Sequence, residues 1–209
     1  MEIIIVKAFD LVLLLCKKFN IDESHSLKHS MEVYNFALRI YESELILHPY
    51  LSQQKDIIIL ASILHDTIDK KYVSEEIGIS EIREYMKSYI TPEKLDIIFQ
   101  IITTMSYSTV KKNGFPELND YQLAYHIVRE ADLLAAYDID RCIMYSMYTK
   151  NIDYSNALNS AVILFENRVF KHRKDKLFVT IFSKKLSVQL HKKAKKDVAM
   201  LQKTLHSLK

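Results

Sequence analysis

An all-α fold is predicted by three features of this chain of 209 residues. It holds only 2 Gly and 3 Pro, where ordinary globular sequences carry roughly 7% and 5%. It is 49% hydrophobic and 26% charged, so it can bury a core and does not have the composition of a disordered chain. Its apolar residues recur at helical spacing over most of its length. A β-sandwich or barrel needs Gly- or Asn-rich turns at short intervals, which this chain cannot supply. Rossmann and P-loop folds need several glycines in one phosphate-cradling turn, and Gly78 and Gly114 lie far apart.

Helical patterns run over residues 2–18, 26–46, 52–69, 74–89, 92–108, 119–149, 153–172 and 180–207. The first, EIIIVKAFDLVLLLCKKF, is interrupted by Lys7 and Asp10 and has no longer apolar run than Leu11 to Cys16. With no basic leader and no small-residue cleavage site it reads as a buried helix, not a signal peptide or a membrane span. Asp22 or Ser24 is a candidate cap for the second helix, and Asn119 or Asp120 for the sixth. Thr91-Pro92-Glu93 reads as a cap followed by proline at the first helical position. The third helix carries Ile57, Ile58, Ile59, Leu60, Ala61, Ile63 and Leu64, hydrophobic nearly all round and therefore buried. Residues 106–119, SYSTVKKNGFPELN, form the longest irregular stretch, with Asn113-Gly114 and Pro116 as turn chemistry. In the last helix Leu186, Val188, Leu190, Ala194, Val198, Leu201 and Leu205 mark an apolar stripe between lysines. The expectation is one domain over 1–209, with the basic amphipathic C-terminal helices packed onto the rest.

Cys16 and Cys142 sit in apolar surroundings and read as free thiols, which suits a reducing cytoplasm. Charge is uneven: residues 171–209 carry a net +10 and the first 170 a net −7. Two readings of the basic end are open, a solvated lysine face or a surface that attracts nucleic acid or another polyanion.

Polar residues interrupt buried stripes in three places. His65 and Asp66 follow directly on the apolar run of the third helix, and a carboxylate there is costly unless paired, hydrogen-bonded or metal-bound. Asp69, four residues beyond His65 and three beyond Asp66, lies on the same side of the helix. His29 lies on the stripe of Val33, Phe36 and Ile40, and His25 one turn earlier lies on the same side but nearer the exposed helix start. Asp132 lies on the face of Val128, Ala131, Ala135 and Ile139. Each taken alone is an ordinary buried polar residue. Together they form a His, His-Asp, Asp set that suits one divalent ion with positions left for water and a phosphate oxygen.

These residues resemble the H…HD…D pattern of the HD-domain metal-dependent phosphohydrolases, an all-α family. The likeness extends through DESHSLKHSMEVYNFA, ASILHDTIDKKY, ITTMSYSTVKKNG and VREADLLAAYDIDRC, about residues 20–145. These stretches are most similar to the small HD hydrolases of the YpgQ/YedJ type. Leu133, Ala135 and Asp138 depart from the family's usual residues. The resemblance implies an HD-type helical bundle and hydrolysis of phosphate or pyrophosphate from nucleotides. His29, His65, Asp66 and Asp132 would hold one divalent ion, Mn²⁺ first, with Mg²⁺, Fe²⁺, Co²⁺ or Ni²⁺ as alternatives. Asp69 would orient or deprotonate the attacking water, and Lys71 would meet phosphate oxygens. His25, Tyr107 and Arg141 would meet the nucleotide. The resemblance leaves open a catalytically silent nucleotide sensor or a nucleic-acid binder with a basic tail.

Overall fold

The computed structural model describes residues 2–207, and among them it contains α-helices, short 3₁₀ turns and no strand. The helices are α1 (Glu2–Phe19), α2 (Leu27–Leu45), α3 (Lys55–Leu64), α4 (Glu75–Met86), α5 (Pro92–Thr104), α6 (Tyr107–Asn113), α7 (Gln122–Ala135), α8 (Ile139–Lys150), α9 (Tyr154–Asn167) and α10 (Ile181–Ser207). The all-α expectation therefore holds. Among the described residues no helix is long and apolar enough to cross a membrane.

α3 is the central element. It packs against α1, α2, α5 and α7, and every residue from Ile57 to Leu64 is buried, as an all-round apolar helix requires. α2 and α7 pack against each other as well as against α3, α8 packs on α9, and α10 lies against α2 and α7. This arrangement brings the start of α2, the end of α3 and the last turns of α7 to one place.

Several boundaries differ from the sequence pattern, and local bonds account for three of the differences. The helix expected over 52–69 begins as a 3₁₀ turn at Pro49–Gln54 and stops at Leu64. There side chains take the carbonyls that a continuing helix would use: Thr67 donates its hydroxyl to Leu64 O at 2.6 Å and His65 Nδ1 bonds Ser62 O at 2.9 Å. The helix expected over 119–149 breaks between Ala135 and Ile139, where Asp138 accepts the Asp140 N–H at 3.0 Å and starts α8. The stretch 106–119 is less irregular than expected: Ser106 accepts the Thr109 N–H at 3.2 Å to start α6, and Gly114 at φ 77 ends it. The other glycine, Gly78, is fixed by packing, since a Cβ there would lie 2.5 Å from Ile68 Cγ2.

The caps also differ. Asp22 caps the 3₁₀ turn Glu23–His25, with Ser26 as the first residue before α2, while Tyr121 precedes α7. Pro92 opens α5 as expected.

The C-terminal helix is pinned to α7 by a buried pair of adjacent charges. Glu130 accepts the Thr180 N–H at 3.2 Å and the Thr180 hydroxyl at 2.6 Å, and also the Val179 N–H. Arg129 donates to Leu177 O and lies 3.4 Å from Glu130. A carboxylate bonding N–H groups just before α10 suits the positive end of that helix. Cys16 and Cys142 are both free.

Candidate metal centre

Each member of the expected ligand set is placed by a different feature of the fold. His29 stands in the first turn of α2 and is buried with Val33, Ala37 and Ile40 on the same face. His65 is the residue at which α3 ends, so His65 and Asp66 project from a turn rather than along a helix. Asp132 lies in the last turn of α7, beside buried Ala131 and Ala135.

They converge closely. His29 Nε2 and His65 Nε2 are 3.1 Å apart. His29 Nε2 is 3.3 Å from Asp66 Oδ2 and 3.4 Å from Asp132 Oδ1. His65 Nε2 is 3.4 Å from Asp66 Oδ2 and 3.8 Å from Asp132 Oδ1. His29, His65 and Asp66 each offer a ligand atom within 4.8 Å of the others, so the three could hold one metal ion. Asp132 adjoins that group through both imidazoles.

The donor chemistry fits a cation. Ser62 O can only accept, so His65 Nδ1 carries a hydrogen and a neutral ring turns its Nε2 lone pair toward the carboxylates. This is the usual way a second hydrogen bond fixes a ligating imidazole. Burial by itself would lower the His65 pKa, but the carboxylates of Asp66 and Asp132 outweigh it and lift the ring to about 9. Burial likewise opposes ionisation of Asp66 and Asp132, yet both are held below the ordinary carboxylate range by the histidines. A proton on His65 and a divalent ion between the groups answer the same need, positive charge in a buried acidic pocket.

A cavity of about 520 Å³ opens over this cluster, within the range of small-ligand sites. His65, Asp66 and Asp132 line it, with His25, Asp69, Lys70, Lys71 and Arg141 around them. Arg141 does not pair with Asp138 or Asp140. Its Nε donates to Ser24 O at 2.6 Å, while its other nitrogens reach Asp66 at 3.4 Å and Asp132 at 3.8 Å.

Asp69 lies past the end of α3, so it reaches the cavity through a turn and not on a shared helix face. Its carboxylate accepts the Lys71 N–H at 2.9 Å and lies 3.3 Å from Lys71 Nζ, which also sits over the Tyr145 ring.

Two expectations are corrected. His25 is buried rather than exposed: Ser24 Oγ lies 2.7 Å from its Nδ1, and Tyr72 and Tyr145 pack on its ring. Tyr107 does not line the cavity. Its hydroxyl donates to Asp175 Oδ2 at 3.3 Å, and its ring carries the Arg168 guanidinium, 4.7 Å from the centroid.

The sequence offered Asp22 and Ser24 only as helix caps and gave Tyr72 and Arg168 no role at the site. Asp22 lies 3.6 Å from His25 Nδ1 and accepts from Ser24 and Tyr72, and against the opposing effect of burial these contacts, His25 first, hold its carboxyl low. Its place three residues before His25 was a usable signal. Arg168 gave none, because it lies at the end of α9, far along the chain from every motif.

A comparison with protein-family models, curated proteins and solved structures finds no match to this chain.

Proposed function

We propose that this chain is a divalent-metal-dependent phosphohydrolase of the HD type, acting on nucleotides and releasing phosphate or pyrophosphate. The observation that carries the reading is the convergence of His29, His65, Asp66 and Asp132 beside a cavity whose other charged side chains include Lys70, Lys71, Arg141 and Arg168. Four groups of metal-ligand type next to cations of phosphate-binding type suit phosphoryl transfer, which needs positioning and charge neutralisation more than a covalent nucleophile.

His29, His65, Asp66 and Asp132 would hold the ion. Bound there, a divalent cation lowers the pKa of water and polarises a phosphoryl oxygen. Asp69 is the group to take a proton from the attacking water, at the carboxylate oxygen that Lys71 Nζ steadies from 3.3 Å. Arg141, fixed at its Nε by Ser24 O, presents its remaining nitrogens to phosphate beside the cluster. His25 is held by Ser24 and the two tyrosines at the edge of the same cavity.

The basic C-terminal helix supports a second reading as a polyanion-binding surface. Lys184, Lys185, Lys192, Lys195, Lys196 and Lys203 are all exposed on it.

The test is a panel of nucleoside mono-, di- and triphosphates, ribose and deoxyribose, run with Mn²⁺, Mg²⁺, Co²⁺ and Ni²⁺ and read for phosphate or pyrophosphate. Product that disappears with chelator and with Asp66→Ala supports the proposal. A protein that binds no divalent ion and yields no product from any member of the panel refutes it.

A further inference from the structure

The cations around the cavity are not equally committed. Lys70 Nζ lies 3.1 Å from Glu75, Lys71 Nζ lies 3.3 Å from Asp69, and Arg141 reaches Asp66 at 3.4 Å. Arg168 differs from all of them. It lines the same cavity, yet among the described residues it makes no ion pair with any carboxylate.

Asp175, the carboxylate bonded to the same Tyr107, is already engaged. Asp175 takes Lys111 Nζ at 3.0 Å and the Tyr107 hydroxyl at 3.3 Å. The Tyr107 ring then supports the guanidinium of Arg168 from 4.7 Å, a contact that orients the cation without neutralising it. Arg141, Cys142 and Arg168 all line this one cavity. A half-buried, oriented and unneutralised guanidinium is a built receptor for an anion.

Arg141 is tied to the metal-type cluster and would serve an anionic group placed there. Arg168 is therefore available to a second anionic group on the same ligand. We propose that Arg168 is a specificity-determining residue of this cavity: it binds a phosphate next to the one that meets the cluster, and so selects ligands with at least two linked phosphates. The proposal rests on the phosphohydrolase reading for the reaction, but the anion site is testable without it. It also gives the segment 150–209 a direct part in the cavity, and it recasts Tyr107 as the residue that positions Arg168.

The experiment compares wild-type protein with Arg168→Gln and Arg168→Lys. KM and kcat are measured for the mono-, di- and triphosphates of one nucleoside, and binding of inorganic pyrophosphate and inorganic phosphate is followed by calorimetry, with and without Mn²⁺. Arg168→Gln should raise KM for di- and triphosphates about tenfold or more relative to the monophosphate, the loss of one charge-assisted contact. It should weaken pyrophosphate more than phosphate, with Arg168→Lys between the two and the melting temperature unchanged. Equal losses for mono-, di- and triphosphates overturn the proposal, as does pyrophosphate binding that ignores the substitution. If wild-type protein hydrolyses nothing but loses pyrophosphate on Arg168→Gln, the anion site stands and the enzymatic reading falls.

Discussion

α7 places two kinds of buried charge within one turn. Arg129 and Glu130 are answered mainly by the chain itself, namely by each other, Leu177 O, Val179 N and the backbone and hydroxyl of Thr180, with Arg129 Nε alone left without a partner. Asp132, two residues on, is met by histidines, by Arg141 and by a cavity. Residues two apart on a helix point to nearly opposite sides, so one helix serves both ends. The first group closes on itself and fastens α10. The second stays open to a ligand with acidic charge in excess. Buried charge is therefore not by itself a mark of a site; buried charge that the chain leaves incompletely answered is.

Breaking the closed group should have the largest effect on stability. Glu130→Ala leaves the Arg129 guanidinium buried and the backbone ahead of α10 without its acceptor, at a cost of about 3–5 kcal/mol. Urea unfolding measures it, and a loss below about 1 kcal/mol would remove the contrast drawn here.

Breaking the open group should act on metal instead. Asp66→Ala is expected to weaken Mn²⁺ binding by more than about 100-fold, beyond what a supporting residue costs, while destabilising the metal-free protein less than Glu130→Ala does. Calorimetric titration and thermal melts on the same preparations separate the two. Adding Mn²⁺ to wild-type protein at about 100 times its Kd should stabilise the fold by about 2.7 kcal/mol, and Asp66→Ala should abolish that gain.

Histidines sharpen the comparison because the two regions shift them oppositely. Burial, aided by nearby arginines, lowers His126 to about 4 and His172 to about 3. A base whose folded pKa lies below its unfolded value favours folding in its neutral form. Its contribution is complete above about pH 6.5 and is lost as pH falls toward the folded pKa, by about 1.4 kcal/mol per unit for each histidine. His65 is raised to about 9, so its contribution is complete below about pH 6.5 and is lost as pH rises through about 9. Unfolding of metal-free protein should thus lose stability between pH 6.5 and 4, above the range where most carboxylates titrate, and again on the alkaline side. His172→Asn should flatten the acid slope only; a slope left unchanged would show that the acid loss arises elsewhere.

The smallest effect on stability is expected at the cavity rim. Lys71 is half exposed and its pair with Asp69 is open to solvent, so Lys71→Ala should cost no more than about 1 kcal/mol. On the proposed function its effect should instead be on the turnover of nucleotide, measured at saturating metal.

The cluster of His29, His65, Asp66 and Asp132 was legible because each member breaks a helical stripe: His29 among Val33 and Ile40, Asp132 among Val128 and Ala135, and His65-Asp66 after seven apolar residues in eight. Periodicity also gave α1, α2 and α10 to within a residue or so. It could not give the end of α3, because Thr67 and His65 win the carbonyls there by side-chain bonds that leave the pattern of apolar residues unchanged. Tyr107 was misplaced for a related reason, since a tyrosine in a polar loop reads the same whether it faces a ligand or supports an arginine.

Composition and the spacing of apolar residues together determined that this chain is helical, and the same spacing picked out which residues of which helices carry ligand-type chemistry, because a helical stripe depends only on neighbours within a few turns. With glycines only at a tight packing contact and a helix end, the chain has no Gly-rich loop to cradle an anion. Any phosphate it meets must be met by side chains. Which side chains those are was decided only by the tertiary structure. Ser24, Asp66, Arg141 and Arg168 line one cavity although they are scattered over most of the sequence, and nothing local to any of them encodes that meeting. The packing of α8 and α9 beside the ends of α2, α3 and α7 brings them together, and the same packing decides which charges find partners and which remain for a ligand.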